Sequence, residues 1–224
     1  MIEQEQEGVI KFKMTYTQAN PLPADQLAEL NAWRKVMVLM GMIGQSPYRY
    51  TGYGFGNISR RLTAADRLAD QLADPNEFLI SGTQTGGIHD LKPEHYAKIL
   101  SCNGVENHVI AEGPMKPSSE SMTHGMVYQL DPAAQWVFHA HDPYIWTHAK
   151  ALGVPETGID VEYGSPEMSA EVERLFHDGL VQEQKIFSMA GHLDGIVTFG
   201  ATAEEAGAVL MNYLAKAIVI DSAK

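Results

Sequence analysis

The chain has 224 residues, of which 45% are hydrophobic, 20% charged and 8% aromatic, so it reads as a folded globular protein rather than a fibrous, collagen-like or disordered one. Its 16 Lys plus Arg against 28 Asp plus Glu give a formal charge of -12, which repels polyanions and argues against nucleic acid as a partner. A single cysteine, Cys102, rules out an intrachain disulfide or a cysteine-based metal cluster and reads as a small buried hydrophobe of a reducing compartment. The acidic start MIEQEQEG has no apolar run behind a basic segment, and no apolar window reaches the roughly 18 residues of a membrane span. A cytoplasmic protein, neither secreted nor membrane-bound, is therefore expected.

Along the chain, Ile10, Phe12, Met14 and Tyr16 alternate with polar neighbours as in a half-buried strand. Pro23 and Asp25 open a segment to about Gly44 in which Leu27, Leu30, Val36, Met37 and Met40 form a helical stripe. Residues 45–60 read as a Gly-, Tyr- and Pro-rich loop that leads into a short strand at Asn57–Ser59. Glu77–Ser81 is strand-like and runs into the turn SGTQTGG. Pro93 to about Ser101 is predicted helical, and Val105–Ala111 a strand. From Ser118 the spacing of Met122, Met126 and Leu130 is helical until Asp131-Pro132 stops it. Gln135–His141 alternates again, with Trp136, Phe138 and Ala140 on one face and Val137, His139 and His141 on the other. Helices are predicted for Pro143–Leu152, for Pro166–Leu180 with Ser165 as N-cap, and after Thr202, whose partner Glu205 has capping-box spacing. Interleaved strands and helices without a linker predict one layered α/β domain over 1–224, with residues 1–24 as an N-terminal extension that carries a strand.

The chemistry-bearing feature that stands out is His139-Ala140-His141. Side chains two apart on a strand share a face, about 6.6 Å apart at Cα, so both imidazoles can close on one ion. Imidazole suits zinc, nickel, copper or iron alike. His192, at the mouth of the strand Ile196–Phe199, is the best third ligand. His89, His95, His108, His148 and His177 lack a partner at ligand spacing and read as surface or capping residues, whereas His124 can orient Glu120 or pack beside the site. Ser118, Ser119 and Glu120 open a helix, where free backbone N–H groups favour an anion and a carboxylate can act as a base. The turns Gly56–Ser59 and Thr83–Gly86 offer amide and hydroxyl donors for a phosphate.

In order, GNIS at 56–59, TQTG at 83–86, SSE at 118–120, HAH at 139–141, the His192 strand mouth and TAEEA at 202–206 resemble the class II aldolase/adducin family. The resemblance runs from about residue 25 to 220. It implies a three-layer α/β/α domain with a central mixed or antiparallel sheet, a homotetramer with a divalent ion in a cleft between subunits, and sugar phosphates as substrates. By the same resemblance His139, His141 and His192 hold zinc or another divalent transition metal, and Glu120 is the catalytic acid/base. Asn57, Thr85, Gly86, Ser118 and Ser119 hold the substrate phosphate. The implied reaction is aldolase-type cleavage of a carbon–carbon bond through a metal-stabilised enediolate. Epimerase, dehydratase and decarboxylase activities, or an adducin-like assembly module without catalysis, are the alternatives.

Three features depart from the family pattern. The segment between His141 and the Tyr163-Gly164-Ser165 turn is shorter than in the family's sugar-phosphate aldolases, and Tyr163 is the only tyrosine after Tyr144 in it to match the one that reaches into a neighbouring subunit's site. Two extra residues separate His192 from Gly195, which is expected to shift the third ligand. Tyr48, Tyr50, Tyr53 and Phe55 replace the small residues usual before GNIS, which points to a larger or less phosphorylated substrate.

Overall fold

The computed structural model describes residues 7–63, 66 and 74–223. Its elements in chain order are β1 (Lys13–Gln18), α1 (Ala28–Leu39), β2 (Gly44–Gln45), β3 (Gly54–Phe55), β4 (Asn57–Arg61), β5 (Phe78–Ser81), β6 (Tyr96–Asn103) and β7 (His108–Gly113). There follow α2 (Ser121–Leu130), β8 (Trp136–His141), α3 (Pro143–Leu152), α4 (Pro166–His177), α5 (Leu180–Gln184), β9 (Ile186–Ser188), β10 (Gly195–Gly200) and α6 (Ala203–Asp221). Eight strands form one sheet in the order β1-β7-β6-β5-β4-β8-β10-β9, while β2 and β3 pair apart from it. All neighbours in the large sheet are antiparallel except β1 and β7, so the sheet is mixed.

The sheet is covered on both faces, which gives three layers. Alternation along each strand sends successive side chains into opposite cores. Phe78, Ile80, Val137, Val197 and Phe199 pack with Met122, Met126 and Val127 of α2 and Met168, Val172 and Leu175 of α4. Leu79, Phe138, Ala140 and Ile196 pack on the other face with Leu30 and Met37 of α1, Ile145 and Ala149 of α3, and Ala206 and Leu210 of α6. Each fully buried Leu, Ile or Phe contributes about 1.5–3 kcal/mol of transfer free energy, and both cores are built from such residues.

Several expected elements form as read. Ser165 caps α4 by accepting from Met168 N, Gly153 ends α3 in the left-handed conformation, and Thr202 accepts from Glu205 N at the start of α6. Two expectations fail. The sequence predicts a helix over Pro93–Ser101, but only Pro93–His95 makes a 3-10 turn, and from Tyr96 the chain is a strand hydrogen-bonded to β5 on one side and β7 on the other. Backbone pairing on both edges, with Tyr96, Ala97 and Ile99 buried, outweighs the helical start signal of Pro93. Val105 belongs to no strand; it is 95% exposed in the turn before β7. Smaller shifts occur at the ends, where β1 starts at Lys13 rather than Ile10 and α4 stops at His177 before Gly179.

Candidate metal centre and substrate cleft

The sheet alternation that buries Phe138 and Ala140 on one face turns His139 and His141 toward the α2 face at the end of β8. Their Nε2 atoms are 3.1 Å apart. His192 comes from the loop joining β9 to β10, and its ring centroid lies 5.4 Å from that of His139 and 4.9 Å from that of His141. One ligand atom from each of the three rings lies within 4.8 Å of the other two, and each residue is only 1% exposed. The two residues inserted after His192 therefore do not displace it. They are absorbed in a tight turn with Asp194 at φ 63°, closed by His192 N to Met189 O and Gly195 N to His192 O, both at 2.9 Å. Gly195 is required there, because a Cβ would stand 2.6 Å from His192 Cδ2 and 3.0 Å from its carbonyl oxygen.

Burial, and then mutual repulsion among the rings, hold the pKa values of His139 and His141 well below 6.5, so both are neutral. Neutral imidazole is the ligating form. The Nδ1 atoms of both rings are buried without a hydrogen bond of normal geometry among the described residues, although backbone groups at Ile196 and Leu193 weakly oppose the lowering. Two neutral ring nitrogens so close repel unless a proton or a cation lies between them. Nitrogen donors in threes, with carboxylates beside them, suit zinc or a similar divalent transition ion, so the residues fit the metal that the resemblance implied.

Glu120 is the residue immediately before α2 and is 2% exposed. Its Oε1 lies 3.7 Å from His192 Nε2, and its Oε2 accepts a 3.0 Å hydrogen bond from Thr123 Oγ1, a partner that nothing in the sequence singled out. Glu120 N donates to Ser118 Oγ at 3.2 Å, and Ser121 Oγ donates to Ser118 O at 2.7 Å, which fixes the turn that aims the carboxylate. His124 does not orient Glu120. Its Nδ1 is 2.6 Å from Ser59 Oγ, which is in turn 2.8 Å from Tyr128 Oη, and burial pushes its pKa down to about 3.

Asn57, Thr85, Gly86, Ser118, Ser119, Glu120 and His139 all line one cavity, so the structure brings together every expected phosphate-binding residue beside the expected base and one ligand. The turn that carries Thr85 and Gly86 rests on Arg34, a 2%-exposed guanidinium in the middle of α1 that donates to Thr85 O at 2.8 Å. Sequence reading missed Arg34, since a lone Arg within an amphipathic helix carries no local signal. Gly86 is dictated by contact: a Cβ would lie 2.2 Å from Gly44 O.

The aromatic loop is split by its environment. Tyr48 is 95% exposed, whereas Tyr50 and Phe55 are buried with their ring centroids 4.6 and 5.4 Å from that of His141. Tyr50 donates to Asp194 Oδ2 at 2.6 Å and thereby ties this wall to the His192 turn. Tyr163 is fully buried against its own chain's His192, 4.7 Å between centroids. Of the remaining histidines, His89 is exposed, His95 accepts from Lys92 N, and His108 bonds Thr15. His148 departs from the expected surface or capping role: it is 4% exposed and pairs with Asp221 at 3.1 Å.

Residues 46–219 match the family described as Class II Aldolase and Adducin N-terminal domain, and the chain belongs to that family. Among solved structures it is similar to L-fuculose-1-phosphate aldolase from Thermus thermophilus, at 19% identity over 88% of this chain and 93% of that one, with a TM-score of 0.60. A sugar-phosphate aldolase from Thermotoga maritima gives 16% identity, coverage of 87% and 93%, and a TM-score of 0.61. YgbL from Escherichia coli, assigned no more narrowly than aldolase, epimerase or decarboxylase, gives 16% identity, coverage of 90% of each chain and a TM-score of 0.63. No curated protein matches the sequence significantly. Among the described residues no helix is long and apolar enough to cross a membrane.

Proposed function

We propose that the protein is a divalent-metal-dependent lyase of the aldolase type, which cleaves a carbon–carbon bond in a phosphorylated ketose or a related hydroxy-carbonyl compound. The observation that carries this reading is the convergence of three buried imidazoles with Glu120 at the rim of a cavity lined by hydroxyl and amide donors. His139, His141 and His192 would hold zinc or another divalent transition ion. Such an ion supplies Lewis acidity toward carbonyl and hydroxyl oxygens.

The chain's own groups do the rest. Ser118, Ser119, Thr85, Asn57 and the backbone at Gly86 receive the phosphate, with the start of α2 contributing its positive end. Breaking the bond removes the proton from the hydroxyl on the carbon that becomes the aldehyde and leaves an electron pair on the carbon next to the carbonyl; the Glu120 carboxylate accepts that hydroxyl proton and, as the carboxyl, delivers it to the electron pair. In the condensing direction the same carboxylate takes that proton back. Thr123 and the Ser118 turn fix its orientation in the cavity. One observation favours a second reading, in which the same centre epimerises, dehydrates or decarboxylates: Tyr163, the candidate for the tyrosine that serves a leaving aldehyde, is fully buried against its own chain's His192. A ring of four copies with the clefts at their interfaces belongs to the proposal, and light scattering tests it.

The deciding experiment is a screen of ketose phosphates for aldehyde release by the metal-loaded protein, repeated with Glu120→Gln. Loss of about 10²–10⁴-fold in turnover is expected. Equal turnover in the variant overturns the role given to Glu120.

A further inference from the structure

A second carboxylate reaches two of the three histidines, from a part of the chain that the family motifs do not include. Glu7 is 8% exposed, and its Oε1 lies 3.2 Å from His192 Nε2 and 3.5 Å from His141 Nε2, closer to the rings than Glu120 is. The segment that carries it is held at successive points. Val9 N donates to Tyr163 Oη at 2.9 Å, Lys11 Nζ pairs with Glu162 at 2.8 Å and stands 4.4 Å over the Tyr163 ring, and Phe12 is buried in the α2-side core. Gly8 makes the bend between Glu7 and this anchored run. Its φ is 72°, and a Cβ there would push the Gln84 side chain aside.

We propose that Glu7 is a further protein ligand of the metal centre, carried in by an N-terminal strap whose tip stands where substrate must enter. A carboxylate oxygen beside two imidazoles is an ordinary donor for a divalent transition ion, and it offsets the positive charge of an ion held by imidazoles alone. The strap also explains the size of the cleft. Glu7 and Gly8 line the same cavity as Asn57, Ser118 and Glu120, and with them in place its volume is only about 20 Å³, room for a water rather than a phosphate. Substrate oxygens and phosphate therefore enter by exchanging with the strap tip.

The proposal rests on the metal-centre reading, and the test separates the two. Cobalt(II) is titrated into the full-length parent, Glu7→Gln and Gly8→Ala, with affinity read by chelator competition, ligand-field absorption read in the visible, and hydrogen exchange followed over residues 7–12. The parent is expected to bind one cobalt per chain and to gain protection in the strap on binding. Both variants are expected to bind about tenfold or more weakly, with an altered visible spectrum and no metal-induced protection. Gly8→Ala keeps the carboxylate and disturbs only its delivery, so it answers the question independently should Glu7→Gln fold poorly. Matching affinities and superimposable spectra in all three proteins overturn the role of Glu7 and leave the three-histidine centre standing. A parent that binds no cobalt overturns both.

Discussion

Two groups of buried histidines sit on the α2 face of the sheet and behave oppositely. His139, His141 and His192 turn ring nitrogens toward a common point with two carboxylates nearby. His124 is just as buried, yet its Nδ1 meets the Ser59 hydroxyl, which also meets Tyr128. Burial lowers the pKa of His124 as it does those of His139 and His141, so neither burial nor neutrality marks a ligand. What separates the groups is convergence of nitrogens against pairing with a hydroxyl.

The contrast can be broken most sharply by removing two converging rings. His139→Ala with His141→Ala is expected to take metal content from near one ion per chain to none, measured by elemental mass spectrometry; retention of the ion in that variant would erase the distinction. Next in size, Gly195→Ala pushes His192 off its position and is expected to weaken metal binding about tenfold, as disturbed ligand support commonly does, read by chelator competition. Ser59→Ala acts on the other group. It strips His124 and Tyr128 of their shared partner and is expected to cost about 1–3 kcal/mol in urea denaturation with metal content unchanged.

The smallest effect at neutral pH, where it vanishes, is in pH dependence. A histidine whose folded pKa is about 3 refuses a proton that the unfolded chain accepts below about 6.5. The unfolded state thus binds more protons in that window, and stability falls as pH drops from about 6.5 toward 3, while above it the penalty vanishes. His124→Gln should remove up to one proton from this slope, at most about 1.4 kcal/mol per pH unit. Equal acid-side slopes for parent and variant would place a charged ring in the core instead.

Much of the site was legible because local rules dictate it. Alternation over Gln135–His141 put His139 and His141 on one face, and the SSE and TQTG turns lie at element ends, where loops bring donors together. The failures come from non-local forces. Tyr96–Asn103 is a strand because two neighbours pair with it, which Pro93 could not foretell. The inserted residues after His192 suggest a displaced ligand, but a left-handed Asp194 folds them away. Arg34, Thr123 and Glu7 carry no motif. Glu7 is one of three Glu in an acidic start, and only its placement next to Gly8 hints that the chain bends there.

The parallel pairing of β1 with β7 bears on the order of assembly. Lys13 waits for His108, 95 positions later, and Glu7 meets His141 and His192, 134 and 185 positions later. Contacts so distant along the chain are slow to close. The segment from Glu7 to Gln18 is thus among the last to find its place, and until it docks the side of the cleft that Glu7 and Gly8 line stays open.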